Sequence, residues 1–145
     1  MVGELVEVRV GNVGHGGFVV GRHEGRAVFV RHALPGELVV ARVTEGSEGD
    51  RFLRADAVDV REASPDRVEP PCPLAGPGRC GGCDWQHATP PAQRRLKAAV
   101  VAEQLLRLAG LDVDVTVEAV EPEALGWRTR VQWAVDGDTV GLRPH

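Results

Sequence analysis

The sequence predicts a mainly β chain with one long helix, on three observations. The first sixty residues alternate apolar and charged positions in short runs cut by glycine turns. A proline- and cysteine-rich stretch follows in which no regular element can persist. After it comes a breaker-free segment from Pro91 to Ala109 that ends at Gly110. Eighteen glycines, ten prolines and an aromatic content of 4% favour short strands and turns over a helical bundle.

The first strand is read over Leu5, Val6, Val8 and Val10, with Glu7 and Arg9 between them, and Gly11 to Gly17 breaks it. Phe18-Val19-Val20 and Ala27-Val28-Phe29-Val30 form the next two, around a turn at Gly21 to Gly25. Pro35-Gly36 marks the turn before Leu38–Val43, and Phe52–Val60 is the fifth strand. Five short strands in sixty residues point to a closed or nearly closed barrel, which removes exposed edges. The glycine run is a turn and not a phosphate loop, because it lacks the Gly-Lys-Ser/Thr ending and no helix pattern follows it. From Ser64 to Gly82 five prolines exclude regular structure. Thr89 then caps the helix, with Pro90 at its first position. Leu96, Val100, Leu105 and Leu108 give it an apolar stripe wide enough to pack on a sheet or barrel. Val113–Val120 and Arg128–Val135 read as strands, and Asp136-Gly137 as a hairpin turn leading to Thr139–Leu142. The chain divides into residues 1–62, 63–88 and 89–145.

The formal net charge is −4. It is uneven: residues 1–60 carry seven basic and nine acidic groups, 61–110 seven and five, 111–145 three and seven. Global acidity argues against indiscriminate phosphate binding but leaves room for a local basic face. No apolar run approaches the ~20 residues of a membrane helix, and Met1-Val2-Gly3-Glu4-Leu5 is no signal peptide. A cytoplasmic monomer without membrane or protein partners is the expectation.

Cys72, Cys80 and Cys83 are the only cysteines, spaced C-x7-C-x2-C. In a reducing compartment such a cluster more often binds metal than forms disulfides. Gly81-Gly82 leaves backbone N–H groups open to sulfur. Three readings stand side by side: an iron–sulfur site, a zinc site completed by His87, and plain thiols or a disulfide. A four-ligand site lacks one thiolate in either metal reading.

Two resemblances narrow these readings. Gly16-Gly17-Phe18-Val19-Val20-Gly21-Arg22, Val28-Phe29-Val30, Ala33-Leu34-Pro35-Gly36-Glu37 and Ser64-Pro65-Asp66-Arg67-Val68 together resemble the TRAM domain, an OB-like barrel of RNA-modifying enzymes. The resemblance implies an RNA-contacting face, with Arg22, His23, Arg26, Arg31 and His32 as candidates; the plain alternative is solvated turn residues. Cys72-Pro73 followed by Cys80-Gly81-Gly82-Cys83-Asp84-Trp85-Gln86-His87 resembles the iron–sulfur motif of the RNA uracil-5-methyltransferase family, with a spacer of seven residues where five is usual. It implies a [4Fe–4S] cluster on the three cysteines, whose fourth ligand is not among these residues, and it makes His87 structural. A radical S-adenosylmethionine enzyme is disfavoured by both cysteine spacing and domain order.

Gln93 and Lys97 match the family's helix after Gln-His. Trp127-Arg128-Thr129-Arg130 resembles its aromatic-Arg-Asn-Arg motif at the start of a small α+β central domain, with Thr129 in place of Asn. Arg94, Arg128 and Arg130 are further RNA candidates, and alternation along a strand would put Arg128 and Arg130 on one face. The resemblance thus implies the N-terminal, RNA-binding and iron–sulfur portion of an rRNA or tRNA uracil-5-methyltransferase. S-adenosylmethionine would bind elsewhere in the parent, and this portion alone would have no catalytic residue. The alternative is a stand-alone RNA-binding module with a structural zinc or iron–sulfur site.

Overall fold

The computed structural model describes residues 1–145. Five strands, β1 (Leu5–Val13), β2 (Val19–His23), β3 (Arg26–Arg31), β4 (Leu38–Glu45) and β5 (Phe52–Glu62), close into a barrel in the order β1-β2-β3-β5-β4. The β3–β5 pairing is parallel and the other four are antiparallel. All five expected strands are present, and most extend past their sequence-read ends. Alternation sends Val6, Val8 and Val10 inward while Glu7 and Arg9 stay in solvent. The same rule supplies Val28 and Val30 from β3, Val39, Ala41 and Val43 from β4, and Leu53, Ala55 and Ala57 from β5.

The core holds valine, alanine and a single leucine, with no aromatic ring inside. The strands therefore approach closely. Gly21, opposite Val10, shows how closely: a Cβ there would stand 2.5 Å from Val8 Cγ2 and 2.8 Å from the Arg9 carbonyl oxygen. Glycine is required here by space and not by backbone angle.

Past β5 the chain turns at Ser64 and is pinned by an isolated bridge between Arg67 and Ala88. The Val68 N–H donates to the His87 carbonyl (3.0 Å) and the Thr89 N–H to that of Asp66 (3.0 Å). Residues 68–87 are thus a loop closed at its own base, and it contains all three cysteines. The base is locked to the barrel by Glu37, whose side chain has no solvent exposure. Glu37 accepts from Arg67 Nε and Nη2 (both 2.6 Å), from the Leu34 N–H (2.8 Å) and from the Ser64 N–H (3.0 Å).

Helix α1 (Pro90–Ala109) begins as expected: Thr89 Oγ1 accepts from the Ala92 N–H, and Pro90 fills the first position. It ends at Gly110, in the left-handed region at φ 66°, whose N–H reaches the Leu105 and Leu106 carbonyls. Only its first turns are packed. Ala92, Ala88 and Leu34 form a small second core with Trp85 and Leu96. The expected stripe does not continue into a packed face: Leu106 and Leu108 are exposed, Leu108 by 82%. The helix meets the barrel beside β1 and the β3–β4 loop and then runs off it.

Two further expectations are corrected. Residues 113–120 form no strand, because no neighbouring segment offers a backbone ladder, and alternation alone cannot make one. Of 128–135, only the end joins β6 (Ala134–Asp136), which pairs with β7 (Thr139–Gly141) around Gly137 at φ 56°.

Glu37→Ala should cost about 3 kcal/mol in a urea titration, because Arg67 and two N–H groups lose their acceptor in a buried place. Burial pushes the Glu37 carboxyl up, but the Arg67 hydrogen bonds and the Ser64 and Leu34 N–H groups outweigh it and hold the folded value below the usual one. This stabilisation is present above the unfolded carboxyl pKa and is lost as pH falls through the lower folded value.

Candidate nucleic-acid interface and cysteine loop

Outward positions of β3 and β5, with Phe18 just before β2, build an aromatic row on the barrel wall. Phe18 and Phe29 meet edge to face at 6.2 Å, and Phe29 and Phe52 at 5.6 Å. The parallel register, which sets Phe29 beside Arg54 and Ala27 beside Phe52, interleaves cations with the rings. The Arg31 guanidinium lies 4.4 Å from the Phe18 centroid, and that of Arg54 lies 5.9 Å and 5.8 Å from Phe18 and Phe52. Phe52 is 44% exposed. Phe18 and Phe29 are partly exposed, and rings beside guanidinium groups have the chemistry of a stacking platform for unpaired bases. Sequence reading found Arg31 but missed Phe18, Phe29, Phe52 and Arg54. The three phenylalanines are far apart in the chain, and only outward register in the strand alternation could have flagged Phe29.

The expected RNA-contact residues are not gathered into one patch. Arg22, His23 and Arg26 sit around the β2–β3 turn, where Arg22 reaches the Gly25 carbonyl (3.4 Å) and Arg26 the Met1 sulfur (3.8 Å). Arg31, the last residue of β3, and His32 just after it lie at the other end of that strand, roughly 16 Å away at strand rise. Arg31 pairs with Asp84 (3.2 Å), as does His145 (3.1 Å). Burial holds the His32 imidazole below its ordinary pKa, with the positive fields of His145 and Arg31 acting in the same sense. Arg94 pairs with Glu123. Arg128 donates to the Gly82 carbonyl (2.5 Å) and covers one face of Trp127 at 5.2 Å. Arg130 is exposed in irregular chain. Arg128 and Arg130 do not share a strand face, because residues 128–130 find no partner strand.

The cysteine loop is closely built. The Cys72 N–H donates to Gln86 Oε1 (3.1 Å), the Cys80 N–H to the Leu74 carbonyl (3.0 Å), and the Gly82 N–H to Cys80 Sγ (3.4 Å). A Cβ on Gly81 would stand 2.6 Å from the Arg143 carbonyl oxygen, and one on Gly82 would stand 2.5 Å from Leu142 Cδ1. The Gly-Gly pair is therefore set by the chain segment packed over it. All three thiols are half-buried and unbridged. An N–H aimed at sulfur suits a thiolate, yet no three Cys, His, Asp or Glu side chains are gathered closely enough to hold a metal ion. As folded, the loop offers the donor chemistry of a metal site without its geometry.

His87 is 5% exposed, with Nε2 on the Ala33 carbonyl oxygen at 3.3 Å. That contact faces the barrel, so the ring supports the fold. Burial is the main cause that lowers its pKa to about 4, and Arg67 adds to it.

Residues 1–58 match the family model of the TRAM domain. These residues are a TRAM domain. Over its full length the chain is 62% identical to an uncharacterized RNA methyltransferase of Streptomyces coelicolor, covering 34% of that protein. Over 90% of its length it is 36% identical to the 23S rRNA (uracil(1939)-C(5))-methyltransferase of Shewanella amazonensis, covering 29% of it. The chain therefore spans about a third of the length of the curated relatives it matches. Its fold is similar to part of the crystal structure of Pyrococcus abyssi tRNA (uracil-54, C5)-methyltransferase in complex with S-adenosyl-L-homocysteine, with a TM-score of 0.55 and 24% identity over 94% of this chain and 28% of that one. The chain is thus similar to proteins named as RNA methyltransferases, and the aromatic row lies within the residues that match the TRAM model.

His87 gives the TRAM barrel's junction with the loop a pH dependence. A neutral buried imidazole with folded pKa about 4 against 6.5 unfolded stabilises fully above pH 6.5 and progressively less as pH falls toward 4. Urea titrations at pH 7.5 and 4.5 should differ by about 3 kcal/mol more in the native chain than in His87→Gln. Equal losses in the two would show that the imidazole is not buried neutral.

Proposed function

We propose that this chain is the RNA-binding portion of an RNA uracil-5-methyltransferase, holding single-stranded rRNA or tRNA on the TRAM barrel. The observation that carries the reading is the row Phe18–Phe29–Phe52 interleaved with Arg31 and Arg54. Relatives named as RNA methyltransferases, matched over 100% and 90% of the chain, support the class of parent enzyme. In that enzyme S-adenosylmethionine supplies the methyl group from a part outside these residues. The residues here bind and orient RNA and take no chemical step.

Phe52→Ala should weaken binding of a labelled single-stranded oligoribonucleotide roughly tenfold, the scale of one lost stacking contact. Native binding should fall linearly on a log–log plot against salt. An unchanged affinity for Phe52→Ala, with binding otherwise intact, would move the RNA off this face.

The cysteine loop is, in this reading, the part that takes up an iron–sulfur cluster. Three thiols on a loop closed at its base, with a glycine N–H on one sulfur, support it. Uptake requires the loop to draw the thiols together. Anaerobic purification followed by iron, sulfide and zinc analysis should find iron and sulfide in equal amounts. Stoichiometric zinc without sulfide would replace the cluster by a zinc site.

A further inference from the structure

A cleft of about 420 Å³ opens between the cysteine loop, the first turns of α1 and residues 123–128. It shares no lining residue with the barrel's aromatic row, and Asp84 at its edge pairs with Arg31 of that row. Its volume is that of a small-molecule site. Trp85 and Trp127 supply aromatic walls, Gln86 and Gln93 bring amides, and Lys97 and Arg128 bring positive charge.

Each group's existing partner shows what it has left to offer. Trp127 is 57% exposed and has Arg128 on one face, so its other face is free. Gln86 spends its oxygen on the Cys72 N–H and keeps its amide donors. Gln93 spends a donor on the Ala88 carbonyl (3.0 Å) and keeps its oxygen. The two acidic groups at the rim are already answered, Glu123 by Arg94 and Asp84 by Arg31 and His145. Lys97 has no carboxylate partner. An open ring face, one free amide donor set, one free amide acceptor and an uncommitted cation make the complement of a single nucleotide. The ring takes the base, the amides take an edge that presents both donors and acceptors, and Lys97 takes the phosphate.

We infer that this cleft binds one unstacked nucleotide of the RNA, as a second contact point separate from the barrel wall. The inference rests on the RNA-binding reading above and adds a place where one base leaves the strand.

The test uses the full chain and a fluorescein-labelled single-stranded octauridylate, read by anisotropy. Trp127→Leu should weaken binding roughly tenfold. Lys97→Ala should weaken it and flatten the log–log salt slope by about 0.7, the contribution of one phosphate on a single strand. A direct readout uses Trp133→Phe, which leaves tryptophan only in the cleft: saturating RNA should quench that emission, and an octamer with one abasic position should quench less. If Trp127→Leu and Lys97→Ala bind within twofold of the native chain while Phe52→Ala is weakened, the cleft proposal falls and the barrel reading stands. If the emission is unchanged at saturation, the cleft proposal falls on that measurement alone. If the native chain binds no RNA at low salt, both readings fall together.

Discussion

Glu37 is a carboxylate with no contact with water, on a loop between two strands, and most of the molecule's joints pass through it. A lone buried carboxylate is very costly; here four hydrogen bonds from three residues meet it. Arg67, its counter-ion, also donates to the His32 carbonyl and carries the backbone bridge to Ala88. The Glu37 carbonyl takes the Val10 N–H, which ties the same residue into β1. Strand β1, the base of the cysteine loop and the residues that lead into α1 thus meet at Glu37 and Arg67. His87 completes the joint on the Ala33 carbonyl, one residue from Leu34. Replacing Glu37 alone leaves the guanidinium and the loop base without the group that orients them.

The barrel was legible because its strands are buried on one side and wet on the other. That condition writes a period of two into the sequence, and glycine marks the turns between runs. The helix was legible at both ends because its caps are local chemistry, at Thr89, Pro90 and Gly110. Its packing was not. The stripe at Leu96, Val100, Leu105 and Leu108 states that a face is apolar, not that anything lies against it. The same limit explains residues 113–120, whose alternation has no ladder to join. Glu37 read as an ordinary turn residue, since its partners Ser64 and Arg67 are about thirty positions away.

The aromatic row was hidden for a related reason. Phe18, Phe29 and Phe52 belong to different parts of the chain and are brought together by the parallel β3–β5 pairing and the β2–β3 hairpin. Their exposure follows from the core. An interior of valine and alanine closes so tightly that Gly21 has no room for a methyl group, so no ring fits inside and the rings lie on the wall. The narrowness of the barrel and the outward aromatic row are one fact seen from two sides. Formal charge would have misled: the whole chain is acidic, yet this face carries Arg31 and Arg54. Their carboxylate partners, Asp84 and Glu45, hold the guanidinium groups in place at partly exposed positions where ion pairs are weak. A phosphate can therefore compete for them.

Asp84 connects the barrel face to the cysteine loop. It follows Cys83 directly, so its position is set by the loop, yet its carboxylate holds Arg31 beside Phe18. Gly17 leaves room for it: a Cβ there would stand 2.7 Å from Asp84 Cγ. Asp84 also lines the cleft beside Trp85. Asp84 thus touches the barrel face, the cysteine loop and the cleft through one side chain. The Arg31 guanidinium on the barrel face is therefore held by a residue whose backbone belongs to the cysteine loop.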